Sequence, residues 1–147
     1  MVRIIIGSKS DMQKAELIKE QLDSLNIQYD FYVSSAHRNP EQTKRLACSA
    51  QEDGVQVIIA AAGMAAHLPG VIASFTTLPV IGVPLSGSQL NGVDSLYAIV
   101  QMPTGVPVAT VAIDGCRNAA ILAAEILAVS NPEIRVELEN LRASFLQ

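Results

Sequence analysis

The sequence predicts an α/β fold: a doubly wound parallel sheet of five strands in three layers, closed by a C-terminal helix. Three observations predict it. Short apolar, β-branched runs alternate with stretches of helical spacing five times along the chain. The third run, Val55 to Ala60, is apolar except for Gln56, as strands are when helices cover both faces of a sheet. The linking segments are short, with no internal repeat or low-complexity tract, and 147 residues fit the span of roughly 100–200 expected of one domain. The chain is therefore expected to form a single domain over residues 1–147.

The elements follow in order. Val2 to Ile6 is a short β-branched run ended by Gly7 and is the first strand. From Asp11 the spacing changes: Ala15, Ile18, Leu22 and Leu25 fall on one helical face among Lys14, Glu16, Lys19 and Glu20. Tyr29 to Ser34 is the second strand. Asn39-Pro40-Glu41 starts a helix with a capping side chain, a proline at the first position and an acidic group at the positive end of the dipole. That helix is expected to run to about Glu52 and stop at Gly54.

Val55 to Ala60 is the third strand, and a short helical piece follows around Leu68 to Phe75. Pro79 precedes a fourth strand, Val80 to Val83, and Asp94 to Met102 is helical. Val108 to Ile113 is the fifth strand. Asn118 to Val129, with Glu125 as its one charge, is a helix covered on most sides. Asn131-Pro132-Glu133 repeats the capping signature and opens an amphipathic tail helix ending near Leu146. For five strands of this kind the default order is the flavodoxin-like 2-1-3-4-5.

Composition removes whole classes of function. Hydrophobic residues are 50% of the chain and charged residues 16%, which excludes disorder and charged-tail proteins. A net charge of −4 supplies no field for nucleic acid or an anionic membrane, so neither is expected as a partner. So little charge on so apolar a chain implies surface hidden in a homo-oligomer. Cys48 and Cys116 lack metal or disulfide spacing and are expected to be buried or partly buried free thiols in a reducing compartment. The run Val57 to Ala66 is too short to span a membrane, and the apolar start is too short for a signal peptide, so a cytoplasmic protein is expected.

In such a fold, ligands bind beyond the carboxyl ends of the strands, and the reactive residues collect there. Gly7-Ser8-Lys9-Ser10-Asp11 offers backbone amides and hydroxyls that suit a phosphate, although Ser10 or Asp11 serving only as a helix cap is an equal alternative. Asp11 can also accept bonds from sugar hydroxyls. After the second strand, Ser35-Ala36-His37-Arg38 pairs an imidazole that titrates near neutrality with a guanidinium able to grip a phosphate; the alternative is an ordinary solvated loop. After the third, His67 stands among Ala, Leu and Pro, where it either faces a ligand or satisfies buried backbone groups. No nucleophile elbow and no metal-ligand spacing occurs, and the loops carry too few acids for magnesium-dependent phosphoryl transfer. The inventory fits proton-transfer chemistry on a phosphorylated small molecule with no cofactor and no metal.

These motifs carry a resemblance. Gly7-Ser8-Lys9-Ser10-Asp11, Ser35-Ala36-His37-Arg38-Asn39-Pro40, Ala65-Ala66-His67-Leu68-Pro69-Gly70 and Gly92-Val93-Asp94-Ser95-Leu96 with Ile99-Val100-Gln101-Met102-Pro103 resemble the class I N5-carboxyaminoimidazole ribonucleotide mutases of purine biosynthesis. Gly105-Val106-Pro107-Val108-Ala109-Thr110 and Asn118-Ala119-Ala120 extend it over nearly the whole chain. The resemblance implies a flavodoxin-like subunit of a homo-octamer. It implies an isomerase that moves a carboxylate from the exocyclic nitrogen of the aminoimidazole to ring carbon 4 without ATP, metal or biotin. It implies His37 as general acid/base and Ser8, Asp11 and Arg38 as substrate-binding, with Ser10 and Ser35 helping at the phosphate. Amides near Ala62, Gly63 and Met64, with His67 and Leu68, would line the carboxylate pocket. The loop Leu85 to Asn91 is expected to close over substrate.

The chain departs from the family pattern at Met64, where many relatives have glycine, at Ala98 in place of a frequent serine, and in the linker Asp114-Gly115-Cys116-Arg117. The nearest rival is the class II carboxylase, which uses free carbon dioxide; Arg38 rather than lysine and the Ala-Ala-His-Leu-Pro-Gly block favour class I. A flavodoxin-like binding module would want aromatic residues in its loops, yet Tyr29, Phe31 and Tyr32 lie in a strand. A receiver module would want an aspartate where Ala60-Ala61-Ala62 ends the third strand.

Overall fold

The computed structural model describes residues 1–146. Five parallel strands form one sheet in the order β2-β1-β3-β4-β5: β1 Val2–Ile6, β2 Tyr29–Val33, β3 Val57–Gly63, β4 Val80–Leu85 and β5 Ala109–Thr110. The helices are α1 Met12–Ser24, α2 Pro40–Ser49, α3 Leu68–Ala73, α4 Val93–Val100, α5 Cys116–Ala128 and α6 Pro132–Ser144, with a 3₁₀ turn at Lys9–Asp11. This is the flavodoxin-like α/β fold that the alternation implies.

Side chains alternate across β1 and build two cores. Val2, Ile4 and Ile6 enter a cluster with α1, α5 and α6, while Ile5 enters a second with α2, α3 and α4. Arg3 occupies the second face with a side chain only 2% exposed. Such burial needs full satisfaction of the guanidinium. Asp30 accepts from Nε and Nη2, Asp53 from Nη2 at 2.9 Å, and Leu46 O and Ser49 Oγ from Nη1. Burial alone would push the guanidinium down, and the bonds from Asp30 and Asp53 outweigh it and hold it above its ordinary value.

Helix α1 lies on one face and α2, α3 and α4 on the other, so the chain leaves β1 and β3, which are neighbours, in opposite directions. That is a topological switch point, where a crevice opens at the carboxyl edge. The register sets Ile6 level with Val33 and Ala61, and Ala61 level with Val83, so the four loops that follow share one edge.

Boundaries differ from the sequence-based expectation for local reasons. Helix α2 ends at Ser49, not near Glu52, and Gly54 at φ 81 closes the turn. Strand β3 starts at Val57 because Val55 N is spent on Ala50 O, and it runs on to Gly63 against β4. Strand β5 is two residues, paired through Ala109 and Thr110 alone, and not Val108 to Ile113. Helix α5 starts at Cys116 because Gly115 O accepts the first helical bond, from Ala119 N. Asn39 and Asn131 both cap as expected, accepting from Gln42 N and from Glu133 N. Cys116 is buried as expected, but Cys48 is exposed on α2. No described helix is long and apolar enough to cross a membrane.

Candidate active site

Each of the four loops is shaped by its own backbone bonds. Gly7 N continues the sheet by donating to Ala61 O, and Ser8 then turns the chain into the 3₁₀ turn. Ser8 Oγ accepts from Ser10 N at 3.3 Å and from Ser10 Oγ at 2.9 Å. Asp11 precedes α1 but makes no capping bond with its side chain. The cap thus falls to Ser8, and Ser10 Oγ lies 3.4 Å from Asp11 Oδ1. Burial raises the Asp11 carboxyl above its ordinary value, against the pull of Ser10 and Lys14.

Ser34 is buried and joins its hydroxyl to Thr43 at 2.8 Å, tying the end of β2 to α2. Ser35 Oγ accepts from Arg38 N at 3.2 Å and from Arg38 Nε at 3.4 Å, which orients the guanidinium. Among the described residues Arg38 forms no ion pair, so its charge is free for an anion. His37 is exposed beside it.

The turn after β3 is tight. Gly63 approaches Leu85 so closely that a Cβ there would sit 3.2 Å from Leu85 O. Met64 adopts φ 56, the left-handed region that an unbranched bulky residue seldom enters, and its side chain is 65% exposed. Leu68 is buried, with a methyl 4.0 Å from where a Gly7 Cβ would stand, so it is floor beneath the first loop. His67 directly precedes α3 and is exposed.

The sequence left His67 either facing a ligand or satisfying buried backbone groups; in the fold it is exposed and meets the other histidine. His37 Nε2 and His67 Nδ1 are 2.8 Å apart, with ring planes at 77°. One nitrogen must donate and the other accept, so a single proton lies between the rings. The outer nitrogens, His37 Nδ1 and His67 Nε2, have no partner among the described residues. The pair can therefore take a proton at one end and release one at the other.

Sequence reasoning missed a second cluster. Lys14 Nζ donates to Asp114 Oδ1 at 2.6 Å and to Ser86 Oγ at 2.8 Å. Burial would raise the Asp114 carboxyl, but the bonds from Lys14 and Ser86 outweigh it and hold it below its ordinary value. The available signal was the Asp-Gly turn before α5 and a lysine three residues beyond Asp11. A concavity of about 640 Å³ lined by Met1, Ile27, Gln56, Leu127 and Ile134 opens at the opposite, amino-terminal edge of the sheet and holds none of these groups.

The chain is similar to known proteins along its whole length. The family model described as AIR carboxylase matches residues 1–147. An N5-carboxyaminoimidazole ribonucleotide mutase of Pyrococcus abyssi is 52% identical over 141 residues, covering 96% of this chain and 81% of that protein. One from Thermotoga maritima is 56% identical over 133 residues, covering 90% of this chain and 78% of that protein. The crystal structure of Treponema denticola PurE superposes with a TM-score of 0.91 at 31% identity, covering 99% of this chain and 91% of that one. The chain belongs to the AIR carboxylase family.

Proposed function

We propose that the crevice between β1 and β3 converts N5-carboxyaminoimidazole ribonucleotide to 4-carboxy-5-aminoimidazole ribonucleotide, a mutase step of purine biosynthesis. The similarity to proteins bearing the mutase name supports the activity. The observation that carries the mechanism is the His37–His67 contact of 2.8 Å beside the unpaired Arg38.

The nitrogen-bound carboxylate is a carbamate. Protonation of that nitrogen breaks the nitrogen–carbon bond and releases carbon dioxide, leaving an electron-rich ring. Carbon 4 attacks the trapped molecule, and loss of its hydrogen as a proton restores aromaticity. One proton is lent and one returned, so no cofactor is consumed. His37 is the general acid/base, and His67 holds the far end of the shared proton. Arg38, Ser35, Ser8 and Ser10 bind the phosphate, and Asp11 accepts from the ribose. Gly63, Met64, His67 and Leu68 enclose the migrating carboxylate; escape of carbon dioxide to water would abort the turnover, so enclosure is part of the chemistry.

The subunit is proposed to act as a cytoplasmic homo-octamer. Exposed Val129, Phe145 and Leu146 on a chain with 16% charged residues support burial between copies.

The test supplies pure protein with the carboxylated nucleotide, lacking ATP and bicarbonate, and follows product absorbance. Rapid conversion is expected. Conversion only of the uncarboxylated nucleotide with bicarbonate would move the chain to the carboxylase reading.

A further inference from the structure

Lys14, Ser86 and Asp114 come from three remote segments and meet at one point. Lys14 Nζ donates to Asp114 Oδ1, to Ser86 Oγ and, at 2.8 Å, to Ser86 O. Ser86 N donates to Asp114 Oδ1 at 2.9 Å, and its hydroxyl to Oδ2. Asp114 N donates to Pro84 O at 2.8 Å. Asp114 stands at φ 57, a conformation that surrounding contacts must enforce.

The placement of this cluster matters. Lys14 lies in the first turn of α1, just beyond the Lys9–Asp11 turn, and Ser86 is the first residue beyond β4. Between β1 and β4 in the sheet stands β3, which ends at Gly63 against Leu85. The cluster therefore spans the crevice edge from the first loop to the fourth. The far end of the fourth loop is already tied: Ser88 Oγ donates to Asp94 Oδ1 at 2.8 Å, and the buried Ser95 hydroxyl is shared between Leu85 O and Gly92 O. Among the described residues, the side-chain hydrogen bonds that tie this loop to remote segments are those at Ser86, with Lys14 and Asp114.

We propose that Lys14, Ser86 and Asp114 form a latch that fixes the loop 86–92 beside the substrate crevice, which makes Lys14 and Asp114 positioning residues for the reaction. This rests on the mutase reading for its effect on turnover. Without Lys14, the Asp114 carboxylate loses its cation, its left-handed backbone relaxes, and the acceptor for Ser86 N is withdrawn. The loop must then be ordered when substrate binds, which weakens binding. The chemistry itself sits on other loops, at His37 and His67, so KM moves more than kcat.

The test compares Lys14→Met, Asp114→Asn, their double variant and Lys14→Arg in the full-length protein. Each of the first two should raise KM about five- to tenfold with kcat changed by about twofold or less, the size of coupling that such networks carry. Amide hydrogens of residues 86–92 should exchange about tenfold faster, the double variant should be no worse than either single one, and Lys14→Arg should stay within about twofold of wild type. Unchanged exchange in both single variants, effects that multiply in the double variant, or a KM that stays normal while melting temperature falls would each overturn the latch. If wild-type protein fails to convert the carboxylated nucleotide, the mutase reading falls, while the exchange measurement still decides the latch.

Discussion

Removing Asp30 should damage the fold more than removing the arginine it serves. In Asp30→Ala, Arg3 keeps its charge but loses three bonds, Nε to both carboxylate oxygens at 3.1 and 3.0 Å and Nη2 to Oδ2 at 2.6 Å. Its side chain is 2% exposed, so water cannot replace them without opening the contact between β1 and α2. A buried charge that loses its better-enclosed carboxylate and keeps only the half-exposed Asp53, at 2.9 Å, costs about 3–5 kcal/mol. In Arg3→Met the groups left behind are Asp30 and Asp53, whose side chains are 22% and 47% exposed and can hydrate. That variant should lose about 1–3 kcal/mol, from the bonds to Leu46 O and Ser49 and the cation–π contact with Tyr32. Adding Asp30→Ala to Arg3→Met should then cost little more, so the coupling is most of the about 3–5 kcal/mol that Asp30→Ala costs alone. Urea unfolding at fixed protein concentration reads this directly. With a slope of about 2 kcal/mol per molar, Asp30→Ala should shift the midpoint down by about 1.5–2.5 M. A shift in Asp30→Ala smaller than that in Arg3→Met, or strictly additive losses in the double variant, would refute the reasoning.

Three further outcomes are expected. The Cys116 thiol, pushed up to about 11 by burial and then by Asp114, is protonated and enclosed at pH 8, so a thiol reagent should modify Cys48 alone in the native protein and both cysteines in denaturant; raising the pH to 9 should leave that native count at one. Gly82→Ala would place a methyl on Ile99 Cγ2 and within 2.9 Å of Val108 Cγ1, so it should destabilise by about 1–3 kcal/mol in the same urea assay. Arg38→Ala, which removes the unpaired guanidinium, should weaken nucleotide binding by about 1.5–3 kcal/mol in calorimetry while unfolding is unchanged.

The fold was legible because its signals are local. The β-branched run Val2–Ile6, the caps at Asn39 and Asn131 and the switch from period two to helical spacing each report the structure they sit in. What failed was tertiary in origin. Strand β5 shrank to Ala109–Thr110 because an edge strand is as long as its one partner allows, and β3 reached Gly63 because β4 pairs with it there. Arg3 passed unremarked inside the run Val2–Ile6, and only the fold reveals its four partners at distances of 27 to 50 residues along the chain. At the site, loop residues could be named because a parallel sheet sends its loops to one edge. The contact of His37 with His67, thirty residues apart, and the joining of Lys14 to Asp114, a hundred apart, depend on loop geometry that no spacing rule encodes. Met64 was legible as an oddity of sequence; its left-handed backbone explains why glycine would suit that position.

The central claim is that an imidazole moves the ring proton. His37→Asn keeps a hydrogen-bonding group next to His67 but removes the group that takes and returns the proton. Turnover of the carboxylated nucleotide by this variant should fall by about 10²–10⁴-fold, with nucleotide affinity and subunit assembly close to wild type. A variant that turns over at near wild-type rate would contradict the account.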